Sequence, residues 1–299
     1  MTPIKIDIVC PIYKHFEYLE PLYNSFFYQE NVIINKIVFP VTDSGDEDME
    51  KIRNFIKSKE NIISFEVKPG EFSHSLTREK AIKEYCESKC VVMISQDIKL
   101  TNNQVFYNLV KDIDSDQTVY NFARQICTNK SIEKYIREKN YPKESYLVTS
   151  KDVEKMQLMA YFASDACSAY NRDIFLLVGG YGGYNLMMNE DMLYSKIILD
   201  KGYHKKYCAD AIVDHSHKYK LKQLYRRYYD TGVFYAQTKL FDNLKSTSSG
   251  LKLSLYVLKR ALMRFDIPVL FRWFPDMTAR YLGMKKGKKE GKRLWKVLY

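Results

Sequence analysis

The sequence predicts an α/β protein: a mostly parallel central sheet followed by a basic helical C-terminal extension. Three observations predict it. Short β-branched runs alternate with helical periodicity through the first hundred residues, each run closes in a polar turn, and the positive charge is gathered at the C-terminal end. With 299 residues and 46% hydrophobic composition, the chain is long enough for one large domain or one domain with an appendage.

The first element is "IKIDIVCPIY", a β run ending in a turn; Asp7 inside its apolar stretch and the lack of a cleavage site make it a first strand rather than a signal peptide. "EYLEPLYNSFFYQ" has helical spacing, with Pro21 expected near the helix start. "INKIVFPVTDSGDED" reads as a second strand closing in an acidic turn, "MEKIRNFIKSK" as a helix, and "IISFEVKPGEF" as a third strand. "SLTREKAIKEYCES" is again helical, and "CVVMISQD" is a buried-looking strand that stops at a carboxylate. Strand and helix in repeated alternation imply right-handed crossovers and a parallel sheet, and such sheets bind ligands at the carboxyl ends of their strands. Those ends carry Pro11 and Tyr13, Asp43 with Asp46, and Gln96 with Asp97.

Residue chemistry weighs each candidate. "DSGDED" could be only a solvated turn. Asp97, directly after "VVMIS", sits where an unpaired charge would be costly, so a divalent cation carrying a phosphate is one economical partner and an exposed loop position the other. His74 and Arg78 are one helical turn apart and could face an anionic diphosphate, or Arg78 could pair with Glu71 or Glu79. In "VDHSH", His215 and His217 project to one side of an extended strand, as metal ligands or as a polar strand end. Glu190 and Asp191 stand before the helical "MLYSKIILDKGY", where acidic residues complement the helix dipole. "GGYGGY" ahead of them reads as a mobile loop. Neither GxGxxG after the first strand nor GxxxxGK[ST] is present, so a nucleotide would be held otherwise.

From Leu251 onward there are thirteen Lys/Arg against three Asp/Glu, a net of +10, which leaves about +1 for everything before. Leu251, Leu255, Leu258 and Leu262 form a helical stripe among Lys252, Lys259, Arg260 and Arg264; Phe271, Trp273, Phe274 and "GMKKGKKEGKRLWKVLY" follow. Cations beside an apolar stripe favour an anionic membrane surface, with nucleic acid or a merely solvated helix as rivals. No uncharged apolar run of 18 residues exists, which argues against a spanning helix. The six cysteines are scattered, with Cys86 and Cys90 expected a turn apart on a helix, and read as reduced thiols.

In order along the chain, "VCPIYKHFEYLEPLYNSF", "VTDSGDED", "GEFSHSLTREKAI", "VVMISQD", "FARQICTNKSIEKYIREKNYP", "ASDACSAYNRDIFLLVGGY", "NEDMLYSKIILDKGY" and "ADAIVDHSHKY" resemble glycosyltransferase family 2, the inverting enzymes of GT-A fold, and most closely its bacterial rhamnosyltransferase-like branch. The resemblance runs from about Ile6 to Tyr219. It implies a GT-A catalytic domain over 1–220, with a donor half to about 100 and an acceptor half over 101–220, and a membrane-associating region over 221–299.

The resemblance also implies roles. Donor binding would fall to Pro11, Tyr13, Asp43, His74, Arg78, Gln96 and Asp97, and acceptor binding to Arg124, Gln125 and Asp165. Asp97, with His215 or His217, would hold Mn2+ or Mg2+; Ser95 replaces the first Asp of the family's DxD-type element. Asp191 would be the general base and Glu190 would orient it or bind the acceptor. The donor implied is dTDP-L-rhamnose, with a UDP-hexose or UDP-N-acetylhexosamine as alternative. The acceptor would be a saccharide or polyprenyl-diphosphate-linked saccharide in capsule, O-antigen or cell-wall polysaccharide synthesis. The expected setting is the cytoplasm, at the inner face of the cell membrane, with no nucleic-acid partner. A non-catalytic protein of the same fold is the more remote reading.

Overall fold

The computed structural model describes residues 2–243 and 247–298. Strand β1 (Ile4–Val9) leads through α1 (Phe16–Phe26) to β2 (Val32–Thr42), then α2 (Glu47–Lys57), β3 (Ile62–Val67), α3 (His74–Tyr85) and β4 (Cys90–Ile94). The second part runs β5 (Lys99–Leu100), α4 (Val105–Asp114), β6 (Tyr120–Ile126), α5 (Glu133–Asn140), β7 (Tyr146–Val148), the short α6 (Val153–Met156), β8 (Cys167–Asn171), α7 (Arg172–Leu177), α8 (Glu190–Asp200) and β9 (Lys205–Asp214). Three helices close the chain: α9 (Leu221–Thr238), α10 (Thr247–Met263) and α11 (Ile267–Leu298). The C-terminal region expected over 221–299 includes 244–246 and 299, which lie outside the described residues.

One sheet orders its strands β3-β2-β1-β4-β8-β6-β9-β5, with β7 also on β9. The first four are parallel; β8 runs against both β4 and β6, and β6 pairs parallel with β9. Period-2 alternation sorts the core onto the two faces of the sheet. Ile6 and Ile8 of the first strand and Cys10 just after it, with Cys90, Val92 and Ile94 of the fourth, face α1 and α4. Val9, Val91 and Met93 face the layer of Tyr170, Phe175 and Tyr194. Asp7, in the middle of β1, is fully buried and satisfied: it accepts from the backbone N–H of Glu87 and Ser88 at 2.6 and 2.7 Å, from Ser88 Oγ, and from Asn35 Nδ2.

Two local expectations change. Helix α1 begins at Phe16, so Pro21 lies in its second turn rather than at its start. Cys86 follows α3 and Cys90 opens β4, so the two do not share a helix; all six cysteines are free thiols.

The C-terminal helices pack onto the body. Arg280 of α11 is buried, bonded to Asp276 (Nε to Oδ1, 2.7 Å), to Tyr228 OH of α9 (2.6 Å) and to Glu133 of α5. The glycines of "GMKKGKKEGK" are spaced by four and face α9 at close quarters. A Cβ on Gly287 would lie 2.0 Å from Tyr229 O, and one on Gly283 2.3 Å from Tyr225 O. That stretch is therefore half packing surface and half exposed lysine. Replacing Gly287 with Leu is expected to destabilise the fold by about 1–3 kcal/mol or more through overpacking, read as a lower thermal unfolding midpoint; an unchanged midpoint would mean that α11 does not seat on α9 in solution.

Candidate functional site

A cleft of about 1320 Å³ opens at the carboxyl ends of the parallel strands, lined among others by Pro11, Tyr13, Asp43, His74, Arg78 and Asp97. Pro11 and Tyr13 lie on the loop after β1, which passes through left-handed backbone at Lys14 and His15. Gln96 holds that loop: its Oε1 accepts from Tyr13 N–H at 3.0 Å and its Nε2 donates to the carbonyls of Lys14 and His15. Gln96 thus acts on the cleft by shaping Tyr13's loop. Asp43 turns the chain after β2, accepting from Gly45 N–H at 2.8 Å.

At the cleft floor Asp97 meets the two histidines. Its Oδ1 is 3.4 Å from His215 Nε2 and its Oδ2 3.7 Å from His217 Nε2, and the two Nε2 atoms are 2.6 Å apart. Gln125 Oε1 lies 2.9 Å from His215 Nδ1. An amide oxygen only accepts, so Nδ1 carries the proton and Nε2 presents its lone pair inward. Burial holds His215 below the usual imidazole range, and burial with the neighbouring His215 takes His217 to about 4, so both are neutral near pH 7. Burial works against the Asp97 anion, but once acid protonates His215 the hydrogen bond and charge of that imidazolium outweigh it and take the carboxyl to about 2. A carboxylate and two neutral imidazoles, their ligand atoms within 4.8 Å of one another, fit a divalent cation. The segment is braced from behind: Ser131 Oγ and Asn129 Nδ2 donate to His217 O at 2.9 and 3.1 Å, and Tyr219 stacks on the His217 ring.

The second cluster joins α3 to α8. Ser73 caps α3, accepting from Leu76 N–H, so His74 and Arg78 fall on its first turns. Arg78 is 4% exposed, ion-paired to Glu190 and 3.9 Å from Asp165 Oδ2. Burial opposes its charge, and the carboxylates of Glu190 and Asp165 overcome that and hold the guanidinium protonated. The expected partners Glu71 and Glu79 are not used: Glu79 instead pairs with Lys83 and accepts from Tyr181 N–H at 2.9 Å. His74, half-buried, has Nδ1 3.9 Å from Glu190 Oε1; burial and then Arg78 hold its imidazole down to about 3, so it is neutral.

Asp165 and Gln125, expected beside an acceptor, are buried and saturated. The Asp165 carboxylate accepts from Tyr120, Tyr170 and Tyr181 hydroxyls at 2.6–3.1 Å and from Ser168 Oγ at 2.7 Å. Gln125 spans His215 and Ser164. They shape the site from beneath. Arg124 is half-buried, and its Nε has no hydrogen-bond partner. In "GGYGGY" the four glycines take left-handed backbone, and Tyr181 between them turns inward onto Asp165. The residues that sequence reasoning missed are this tyrosine cage, for which Tyr181 between two glycine pairs was the one available signal, and Asn129 and Ser131, for which there was none.

Asp191 is the carboxylate of this cluster that makes no ion pair among the described residues. It follows Asn189, itself left-handed at φ 66°, in the first turn of α8. Its Oδ1 accepts from Met192 N–H at 2.7 Å and its Oδ2 from Asp165 N–H at 3.3 Å. Burial first, then the charges of Glu190 and Asp165, raise its pKa well above the ordinary carboxylate range, and burial likewise raises that of Glu190. Beneath it Lys205 is fully buried, donating to Phe162 O at 2.6 Å and Ser195 Oγ at 3.2 Å.

Over 291 residues the chain is 28% identical to the O-antigen chain rhamnosyltransferase RfbN of Salmonella typhimurium, covering 95% of this chain and 90% of that one. It is 30% identical over 198 residues to the O-antigen chain rhamnosyltransferase WbaN of Salmonella anatum, covering 66% of this chain and 62% of the relative's length. Among solved structures it resembles the mannosyltransferase PcManGT from Pyrobaculum calidifontis in complex with GDP-Man and Mn2+, at TM-score 0.60 and 13% identity over 97% of this chain and 87% of that one. It also resembles S. aureus TarS 1–349 in complex with UDP-GlcNAc, at TM-score 0.54 and 13% identity over 98% and 92%. No family model matches the sequence. At such identities the structural likeness carries the fold.

Removing one partner of a buried ion pair leaves the other uncompensated. Arg78→Met is therefore expected to cost about 3–5 kcal/mol of stability. Adding Glu190→Gln should recover part of that loss; a double variant no more stable than Arg78→Met in urea unfolding would show that the two do not pair.

Proposed function

On the premise that the chain is a glycosyltransferase of GT-A fold related to O-antigen chain rhamnosyltransferases, we propose that it transfers L-rhamnose from dTDP-rhamnose, with inversion, to a saccharide or polyprenyl-diphosphate-linked saccharide in bacterial surface polysaccharide synthesis. The observation that carries the reading is the Asp97–His215–His217 cluster at the floor of a cleft at the strand ends. The donor sugar rests on the names of the two sequence relatives. The neighbours bound to GDP-Man and UDP-GlcNAc keep those nucleotides, and with them UDP-hexoses, in the test.

In this reading Pro11, Tyr13 and Asp43 receive the nucleoside, and the diphosphate reaches toward Asp97. Asp97, His215 and His217 would hold Mn2+ or Mg2+, which when bound neutralises negative charge on the diphosphate oxygens. Asp191 takes the proton from the acceptor hydroxyl as that oxygen bonds to the anomeric carbon, while the bond from that carbon to the diphosphate oxygen breaks and the electron pair leaves with the diphosphate. One displacement inverts the centre and needs no covalent nucleophile. A raised pKa suits a base provided it is ionised at the working pH, because the more basic carboxylate takes the proton more readily. Glu190, tied to Arg78, positions the first turn of α8 rather than meeting the acceptor. The setting this implies is the inner face of the cell membrane; no helix among the described residues is long and apolar enough to cross one.

The deciding experiment is calorimetric titration with dTDP-rhamnose, GDP-mannose, UDP-glucose and UDP-N-acetylglucosamine, each with Mn2+ and with EDTA. Selective binding of dTDP-rhamnose that EDTA weakens and Asp97→Ala abolishes is expected; selective binding of another donor would replace rhamnose. Asp191→Asn should keep donor binding and lose transfer by about 10²–10⁴-fold. The pH profile follows from the sign of the shift. Because the base must be deprotonated and its pKa is raised, transfer should fall off on acidification at a pH above the ordinary carboxylate range. Glu190→Gln, which removes a neighbouring negative charge, should move that limb to lower pH. Full transfer by Asp191→Asn would remove it as the base.

A further inference from the structure

Helix α11 has two faces of opposite character. Its inward face buries Val269, Asp276, Arg280, Gly283 and Gly287. Its outward face, recurring at helical spacing, carries Ile267, Phe271, Phe274, Tyr281 and Leu282, all exposed; Phe271 is 82% and Phe274 69% exposed. The same face continues as Lys285 and Lys289, also exposed. Helix α10 repeats the arrangement. Val257 and Ala261 pack on Ile132, Tyr135 and Ile136 of the α5 region, whereas Leu251, Leu255 and Leu262 of the stripe read from the sequence stand in solvent. Phe265, 84% exposed and left-handed at φ 51°, forms the corner where the two stripes meet. Scattered apolar side chains on a surface are ordinary; a run of aromatics along two joined helices is not.

We propose that the α10–α11 corner is a lipid-contact surface, which lays both helices along an anionic bilayer with Phe265, Phe271 and Phe274 in the headgroup–acyl boundary. Charge selects lipid over another occupant: the exposed stripes are flanked by exposed Lys252, Lys259, Arg264, Lys285 and Lys289, and the segment from Leu251 carries a net of +10. A second copy of this chain would bring the same cations against one another, whereas an anionic headgroup layer answers them while the aromatics leave water. The surface stands on its own geometry. Its purpose rests on the proposed function, because it would hold the cleft beside a lipid-linked acceptor.

Point substitutions are the clean probe, since deleting the helices would also unseat Arg280 from Glu133. The full-length protein is sedimented with vesicles of phosphatidylglycerol and phosphatidylcholine, and with phosphatidylcholine alone, as wild type, as Phe271→Ser/Phe274→Ser and as Lys285→Ser/Lys289→Ser. Unfolding midpoint and calorimetric donor binding are measured on each. The phenylalanine pair should lose at least tenfold in partitioning to the anionic vesicles, with midpoint and donor binding unchanged. The lysine pair should lose less, and wild type should bind phosphatidylcholine alone more weakly than the mixture. Undiminished vesicle binding by the phenylalanine pair, or a wild-type dimer in solution that the same pair dissolves, would overturn the proposal. Loss of vesicle binding in a protein that binds no nucleotide sugar would leave this surface standing and sink the donor reading.

Discussion

The arrangement of the cleft depends on one buried cation, the guanidinium of Arg78. Glu190 and Asp165 both lie against it, and Asp191 is the next residue along α8. At about 4 Å and an effective dielectric near 20, each pair of like charges would repel by about 4 kcal/mol. Without Arg78 the first turn of α8 could not bring Glu190 and Asp191 into one volume with Asp165. With it, two are neutralised and the third is left over. That division of roles gives Asp191 its character, because burial and the charges of Glu190 and Asp165 raise its pKa while it makes no ion pair among the described residues. The tyrosine cage completes the device: hydroxyls saturate Asp165, so the Arg78 charge is drawn chiefly to Glu190 and α3 is tied to α8.

Much of this was legible in the sequence where a single period governs the backbone. The alternating strands and helices of the first hundred residues, the carboxylate stopping "VVMIS" and the His-x-His spacing are local facts, and the structure brings Asp97, His215 and His217 together. The side of the sheet on which a polar residue falls is not local. Between Ala123 and Arg124 of β6 the partner strand β9 jumps from Cys208 to Ile212, so the part of β9 that comes to lie beside Gln125 cannot be counted from the sequence. Gln125 therefore turns under the histidines instead of toward a ligand. The glycines misled in the opposite sense. In "GGYGGY" they read as freedom, yet they supply the left-handed turns that bury Tyr181. Those at 283 and 287 lay inside a run read for its charge, yet they let two helix backbones touch.

The charged tail likewise splits into two populations that composition cannot separate. Arg272 and Arg280 face inward: Arg272 Nη2 donates to Tyr219 O at 2.7 Å, and Arg280 closes the network of Asp276, Glu133 and Tyr228. The lysines at 285 and 289 face outward. Tyr219 stacks on His217, with the Arg227 guanidinium of α9 5.8 Å from the centre of the Tyr219 ring. The helices that follow the sheet thus form the back wall of the Asp97–His215–His217 cluster and are more than an appendage.

Inward and outward roles meet on neighbouring residues of one helix. Phe271 stands in solvent and Arg272, the next residue, holds the carbonyl two positions beyond His217. A helix is stiff over several turns, and this one is fixed to α9 by glycines that allow no slack between the backbones. Whatever surface engages the aromatic stripe is therefore held in a set orientation to the cleft. A flexible basic tail would only raise the local concentration of enzyme near its acceptor. In the proposed reaction, a docked helix with aromatics on one side and the site's own support on the other would also fix the direction from which the acceptor enters, which a single in-line displacement requires.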